Sequence, residues 1–152
     1  MFGLGGVGLS ALLGARLAGC GQLIAVDPVE AKRQLALELG ATDALDGGPG
    51  TEEAIRSLAP GGVAKAIETA GSAKVLRAAY GSTGRGGTTV TVGLPDPAQM
   101  LEIPAVSLTA EERTLRGSYL GSANPAEMLP RLFAYWSEGR LPLERLISHR
   151  IR

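Results

Sequence analysis

A glycine fingerprint at the start of the chain constrains it most. Residues 3–8 read Gly3-Leu4-Gly5-Gly6-Val7-Gly8, a G-x-G-x-x-G pattern. Alone the pattern is weak, because a chain with 22 glycines among 152 residues produces such spacings by chance. Its surroundings strengthen it. Phe2 ends a short apolar stub before it, and Leu9 to Ala18 has helix-forming composition after it. Leu9, Leu13 and Leu17 fall on one face of that helix, and Val7, Ala11, Ala15 and Ala18 make a face of small residues. Such a helix is expected to be buried and close to a sheet. Gln22 to Val26 is an apolar run that ends on Asp27, hence a buried strand. Asp27 follows Gly8 by 19 residues.

Stub, glycine loop, helix, strand and acid together make the dinucleotide-binding arrangement. Gly3 permits the tight turn, Gly5 lets backbone approach a pyrophosphate, and Gly8 lets helix pack on sheet. The N–H groups near Gly6 and Val7 face the pyrophosphate at the positive end of the helix dipole. Asp27 sets the coenzyme. A carboxylate there accepts from both adenosine ribose hydroxyls and repels a 2′-phosphate. The next residue is Pro28, not an arginine that could hold that phosphate. NAD is therefore expected over NADP.

The rest of the chain alternates. Helices are expected over Pro28–Leu39, Glu52–Leu58, Ser72–Tyr80 and Asn124–Tyr135, the last with Asn124 as N-cap and Pro125 at N1. Strands are expected over Ala41–Leu45, Val63–Thr69 and Gly86–Val92, with short candidates at Leu101–Ile103 and Thr114–Gly117. Strands spaced by helices imply βαβ units. The expected fold is α/β, a doubly wound parallel sheet of the Rossmann type in three αβα layers. Its central first strand is truncated to Met1 and Phe2. Residues 1–138 would form an N-terminally clipped NAD-binding domain. Residues 139–152 would begin the return to a catalytic domain, with Leu146 to Arg152 a strand-like run.

Composition removes several classes. Fifteen basic and fifteen acidic residues cancel, leaving no electrostatic footprint for nucleic acid or an anionic membrane. The longest uncharged stretch, Met1 to Ala15, is short of the ~20 residues a bilayer demands. Leu17-Ala18-Gly19-Cys20 resembles a lipoprotein cleavage box, but no positive region precedes it and Arg16 interrupts the apolar run. Cys20 reads instead as a small hydrophobe at the end of the first helix. One Cys and one His allow neither an internal disulfide nor a local zinc site. No GxxxxGK[ST] and no GxSxG occurs, and neither Tyr80 nor Tyr119 has a Lys four positions on. A methyltransferase could share the topology, but the acid usual beside its glycines is missing.

Further landmarks carry a family resemblance. Phe2 to Leu9, Val26-Asp27, Lys32, Leu39 to Asp43, Glu68-Thr69-Ala70-Gly71, Val90 to Pro95 and Gly117 to Gly121 stand in the order seen in medium-chain, zinc-type alcohol dehydrogenases. The chain resembles only the coenzyme domain of that family. The resemblance implies that Gly3, Leu4, Gly5, Gly6, Val7 and Gly8 line the pyrophosphate. It implies that Asp27 binds the adenosine ribose with Lys32 assisting, and that Thr69 lies near the adenine side. It further implies that Val92, Gly93 and Leu94 border the nicotinamide, and that Ser118, Tyr119 and Leu120 close its carboxamide side. Lys32 could equally be a solvated helix lysine, and Val92 and Leu94 plain strand-end core. Leu101–Ile103 resembles the edge strand through which such domains pair as homodimers.

By the same resemblance, full-length members oxidise alcohols, or reduce aldehydes, with zinc held by Cys and His of a substrate domain. No catalytic residue and no metal ligand is expected in this chain. Cys20 matches no ligand, and His149 reads as a surface or interdomain histidine. The implied protein is a cytoplasmic NAD-dependent oxidoreductase whose coenzyme part, alone, should not catalyse. A nucleotide-binding or interaction module without catalysis stands beside that reading.

Overall fold

The computed structural model describes residues 1–149. Its helices are α1 (Gly6–Leu17), α2 (Glu30–Glu38), α3 (Thr51–Leu58), α4 (Ala73–Ser82), α5 (Ala105–Ala110) and α6 (Pro125–Ser137). Its strands are β1 (Ile24–Val26), β2 (Asp43–Leu45), β3 (Val63–Glu68), β4 (Thr83–Thr91) and β5 (Thr114–Gly117). β1 pairs β2, β3 pairs β4, and β4 pairs β5, each in parallel.

The N-terminal stub fills the place between β1 and β3. Phe2 bridges Val26 on one side and Glu68 on the other, both in parallel. Its N–H donates to Ile67 O (2.8 Å), and its carbonyl accepts from Thr69 N (2.8 Å). On the β1 side Gly3 N donates to Val26 O (2.9 Å), and Val26 N to Met1 O (2.8 Å). The Met1 α-amino group donates to Ile24 O (2.7 Å), and burial lowers its pKa to about 6. The strand order is therefore β2-β1-(Met1–Phe2)-β3-β4-β5. The expected doubly wound sheet is present, and two residues hold its centre.

Period-two alternation distributes side chains to both faces. Met1 and Ala25 pack with Leu4, Leu9, Leu12, Leu13, Ala36 and Leu39, under α1, α2 and α6. Phe2, Ile24, Val26 and Ala66 point the other way, onto Ile55 of α3 and Ala79 of α4. Helices cover both faces, which makes the three layers. α6 belongs to the first face through Leu132 and Tyr135, beside Leu141.

Several expectations need correction. Leu101–Ile103 forms no strand; no strand among the described residues pairs with it, and only the Arg77 side chain reaches its backbone, at Glu102 O (3.3 Å). α5 arises where no helix was expected. Its six residues, Ala-Val-Ser-Leu-Thr-Ala, show no clear period, and Pro104 starts it by accepting from both Ser107 N (3.0 Å) and Ser107 Oγ (2.6 Å). α2 begins at Glu30 rather than Pro28, because Pro28 lies in a turn closed by Val29 N on Asp27 Oδ1 (2.9 Å). Ser72 precedes α4 but makes no side-chain cap; Gln99 Oε1 takes Ala73 N instead (2.9 Å). Asn124 caps α6 as expected, accepting from Ala126 N (3.1 Å). Cys20 is exposed three residues past α1, with Sγ donating to Gln22 O, so it is no buried hydrophobe. In the tail, Leu143–Leu146 is a 3₁₀ turn and residues 147–149 form no strand; Arg150 to Arg152 lie outside the described residues.

Candidate coenzyme-binding site

The glycine loop leaves the sheet at Phe2 and enters α1 at Gly6. Gly3 has φ +86°, in the left-handed region, and a Cβ there would stand 2.9 Å from Thr69 Oγ1. At Gly8 a Cβ would overlap the Gly3 carbonyl oxygen. At these two positions the chain is thus packed without room for a methyl group. Gly5 and Gly6 are the opposite case: a Cβ on either meets nothing within 4 Å. No neighbour in this chain demands glycine there. The space itself is what glycine keeps free.

That space opens into a cavity of about 930 Å³. The glycine loop and Asp27 form its floor. Pro28, Lys32 and residues 47–53 wall one side, and Thr69, Ala70 and the α4 residues Lys74, Val75 and Ala78 wall the other. The volume falls in the ~300–1,000 Å³ range of ligand pockets.

Asp27 is buried at the β1 terminus. Its Oδ2 accepts Leu4 N (2.8 Å), and its Oδ1 accepts Val29 N (2.9 Å). A carboxylate offers about four lone-pair sites, so acceptor capacity remains toward the cavity. Lys32 Nζ stands 3.8 Å from Asp27 Oδ2 and is part-exposed. Arg33, which sequence reasoning did not single out, donates from Nη1 to Asp27 O (2.8 Å) and Pro28 O (2.9 Å). It fixes the backbone that carries the acid.

Thr69 anchors the loop from the other half of the sheet. Its Oγ1 donates within 3.1 Å of Phe2 O and 3.0 Å of Gly3 O. Its hydroxyl therefore serves the glycine turn. Gly3, Leu4, Gly5, Asp27, Lys32 and Thr69 all line one cavity. Gly6, Val7 and Gly8 form the first turn of α1 directly behind it.

The residues expected at the nicotinamide form a second group. Val92, Gly93 and Leu94 follow β4, Ser118 to Leu120 follow β5, and Ser118 N donates to Thr91 O (2.9 Å). They share the C-terminal edge of the sheet but do not line the cavity. Leu94, Tyr119 and Leu120 are strongly exposed, Leu120 at 91%. Two further features were given no site role by sequence reasoning. The Gly47–Gly50 turn walls the cavity, although its Gly/Pro run signalled only a turn. Glu68 is 1% exposed between the two groups; a buried acid in a strand leaves no periodic signal.

The site fits a dinucleotide on its own geometry: an open glycine cradle at a helix N-terminus, beside a buried acceptor. It does not fit zinc. Among the described residues no cluster of three or more His, Cys, Asp or Glu could hold a metal, and Cys20 and His149 belong to no such set.

A parallel, doubly wound sheet with a glycine turn at its centre defines a domain of the Rossmann type. Comparison with known proteins gives the family. The family model described as zinc-binding dehydrogenase matches residues 6–134, and the chain belongs to that family. Geraniol dehydrogenase of Castellaniella defragrans is 40% identical, over 97% of this chain and 40% of that protein. The crystal structure of an alcohol dehydrogenase zinc-binding domain protein from Burkholderia ambifaria superposes with a TM-score of 0.92 at 38% identity, covering 97% of this chain and 40% of that one. Benzyl alcohol dehydrogenase of Acinetobacter calcoaceticus gives a TM-score of 0.92 at 33% identity, covering 97% and 41%. The chain thus spans about two-fifths of the length of the relatives it matches.

Proposed function

We propose that this chain is the coenzyme-binding part of an NAD-dependent oxidoreductase that acts on small alcohols or aldehydes. The observation that carries the reading is the junction of the glycine turn with Asp27, where Leu4 N meets Asp27 Oδ2 at the floor of the cavity. Bound there, NAD would supply a hydride acceptor at C4 of its nicotinamide.

The chain's own residues bind and orient. The N–H groups at the start of α1 favour the pyrophosphate. The remaining Asp27 lone pairs accept ribose hydroxyls, with Lys32 beside them. The same carboxylate disfavours a 2′-phosphate, hence NAD over NADP. The backbone of Val92, Gly93 and Leu94 borders the nicotinamide, and Ser118, Tyr119 and Leu120 close its far side. No residue of this chain is assigned a chemical step, and the identity of the alcohol lies with groups outside it. A cytoplasmic location goes with this reading; no helix among the described residues is long and apolar enough to cross a membrane. A second copy pairing along Leu101–Ile103 belongs to the same proposal, the bare segment becoming a strand only when paired.

Titration with NADH tests the reading. Trp136 is the only tryptophan, so energy transfer from it to the reduced nicotinamide has one source. Saturable NADH binding is expected, with NADPH weaker by about tenfold or more from repulsion between its 2′-phosphate and the Asp27 carboxylate and S-adenosylmethionine failing to compete. Absence of saturable binding, or tighter binding of NADPH, overturns the assignment.

A further inference from the structure

We infer that Glu68 is a positioning residue for the nicotinamide end of the site, an inference that rests on the coenzyme reading above. The side chain is 1% exposed and lies at the last position of β3. Its Oε1 accepts Gly71 N (2.7 Å), and its Oε2 accepts the Thr91 hydroxyl (2.9 Å). Its backbone carbonyl accepts Val92 N (2.8 Å) and Gly93 N (3.3 Å). One residue therefore binds the 69–71 turn, the end of β4 and the segment that follows β4.

The fit at that meeting point is close. A Cβ on Gly93 would overlap Gly71 N, and a Cβ on Gly71 would stand 2.9 Å from Leu94 O. The two glycines meet backbone to backbone, so the place of Val92–Leu94 depends on where Gly71 is held. The Glu68 carboxylate holds it. Buried carboxylates are costly unless their partners are in place, and both oxygens here have one. The adenosine side is built differently, from Asp27, Lys32 and residues 47–53, while the Glu68 carboxyl takes its hydrogen bonds from Gly71 and Thr91. The glycine turn is anchored by Thr69 Oγ1, which Glu68 does not contact through its side chain. Glu68 should therefore govern the nicotinamide half of the coenzyme and not the adenosine half.

The test compares NADH with AMP as ligands of the full chain, in the wild type and in Glu68→Ala, Glu68→Gln and Thr91→Val. Removing the acceptors of the Gly71 N–H and the Thr91 hydroxyl should weaken NADH by about tenfold in Glu68→Ala, with AMP held within about twofold. Gln keeps an acceptor for Gly71 N and a donor for Thr91 Oγ, so Glu68→Gln should restore the wild-type ratio. Thr91→Val, which removes one tie at nearly constant volume, should weaken NADH alone. Should Glu68→Ala not fold, Thr91→Val and Glu68→Gln decide. Equal losses for NADH and AMP, no loss for either, or a Gln variant as weak as Ala each overturn the inference. A wild-type chain that binds no NADH overturns the coenzyme reading and this inference with it. A wild-type chain that binds NADH while its variants lack selectivity overturns this inference alone.

Discussion

At the residue scale, the fingerprint glycines separate into two kinds. Gly8 is required by the fold, since a methyl group there strikes the Gly3 carbonyl. Gly5 is free of any neighbour within 4 Å. Gly8→Ala should therefore lower the thermal midpoint and coenzyme affinity together. Gly5→Ala, at φ −75°, should leave the thermal midpoint within a few degrees yet weaken NADH by at least about tenfold, because its Cβ meets the ligand. Calorimetry and the NADH titration read the two effects separately. A Gly5→Ala protein that binds like wild type would remove the glycine loop from the site. Asp27 makes a less clean probe. Its carboxylate satisfies Leu4 N and Val29 N, so Asp27→Ala orphans the buried Leu4 N–H at about 1–3 kcal/mol of stability before any coenzyme is added. These roles were half legible in sequence. Spacing named Gly3, Gly5, Gly8 and Asp27, because a short motif carries its own geometry. It gave Glu68, a landmark of the resemblance, no role and passed over Arg33, because the fold alone brings their partners to them.

At the scale of elements, the strand character of Met1 and Phe2 was legible, and their sufficiency at the centre of the sheet was not. Two apolar residues before the glycines gave no reason to expect bonds to both β1 and β3. What closes the sheet there is tertiary: Phe2 has a strand edge to bridge on each side. Leu101–Ile103 and α5 fail for the converse reason, since local composition decided neither. The stub also carries a pH signature. Met1 is half-buried as a residue, with its amine turned onto Ile24 O. Burial drops the pKa of that amine from its ordinary 8.0 to about 6. Between these values the unfolded chain binds a proton that the folded chain refuses. Stability is therefore highest above pH 8, falls as pH drops toward 6, and then levels, with a slope of at most about 1.4 kcal/mol per pH unit. Urea unfolding at stepped pH measures it. Acetylating the Met1 amine keeps an N–H for Ile24 O and should flatten the curve; an unchanged slope would assign it to other groups.

At the scale of the whole molecule, formal charge is zero while two apolar regions face outward. Leu94, Tyr119 and Leu120 form one, at the ends of β4 and β5. Leu129, Phe133 and Trp136 form the other on α6, with Phe133 64% exposed and edge-on to Trp136. Uncharged proteins with such patches associate. Sedimentation velocity should show a dimer of twice the 15.6 kDa chain plus larger species. Phe133→Ser should remove the larger species and leave the dimer. Glu102→Pro, which takes an N–H from the Leu101–Ile103 segment, should remove the dimer. A wild-type chain that is monomeric throughout would end the pairing proposal. Sequence gave the span and N-cap of α6 but did not separate its inward side chains from its outward ones, because Leu132 and Tyr135, which pack inward, alternate with Phe133 and Trp136.

The seam at Phe2 has a mechanical side. On the β1 side the left half of the sheet holds Asp27, Lys32 and the 47–53 wall; across the seam stand Thr69, Ala70 and α4. Any molecule that fills the cavity therefore spans the joint like a rivet through two plates. Binding adds its free energy to the closed arrangement, and the amides that cross the joint should feel it first. Phe2, Gly3, Val26 and Thr69, whose N–H groups bridge the two halves, should exchange with deuterium more slowly once NADH is bound, while the amides joining β4 to β5 keep their rates.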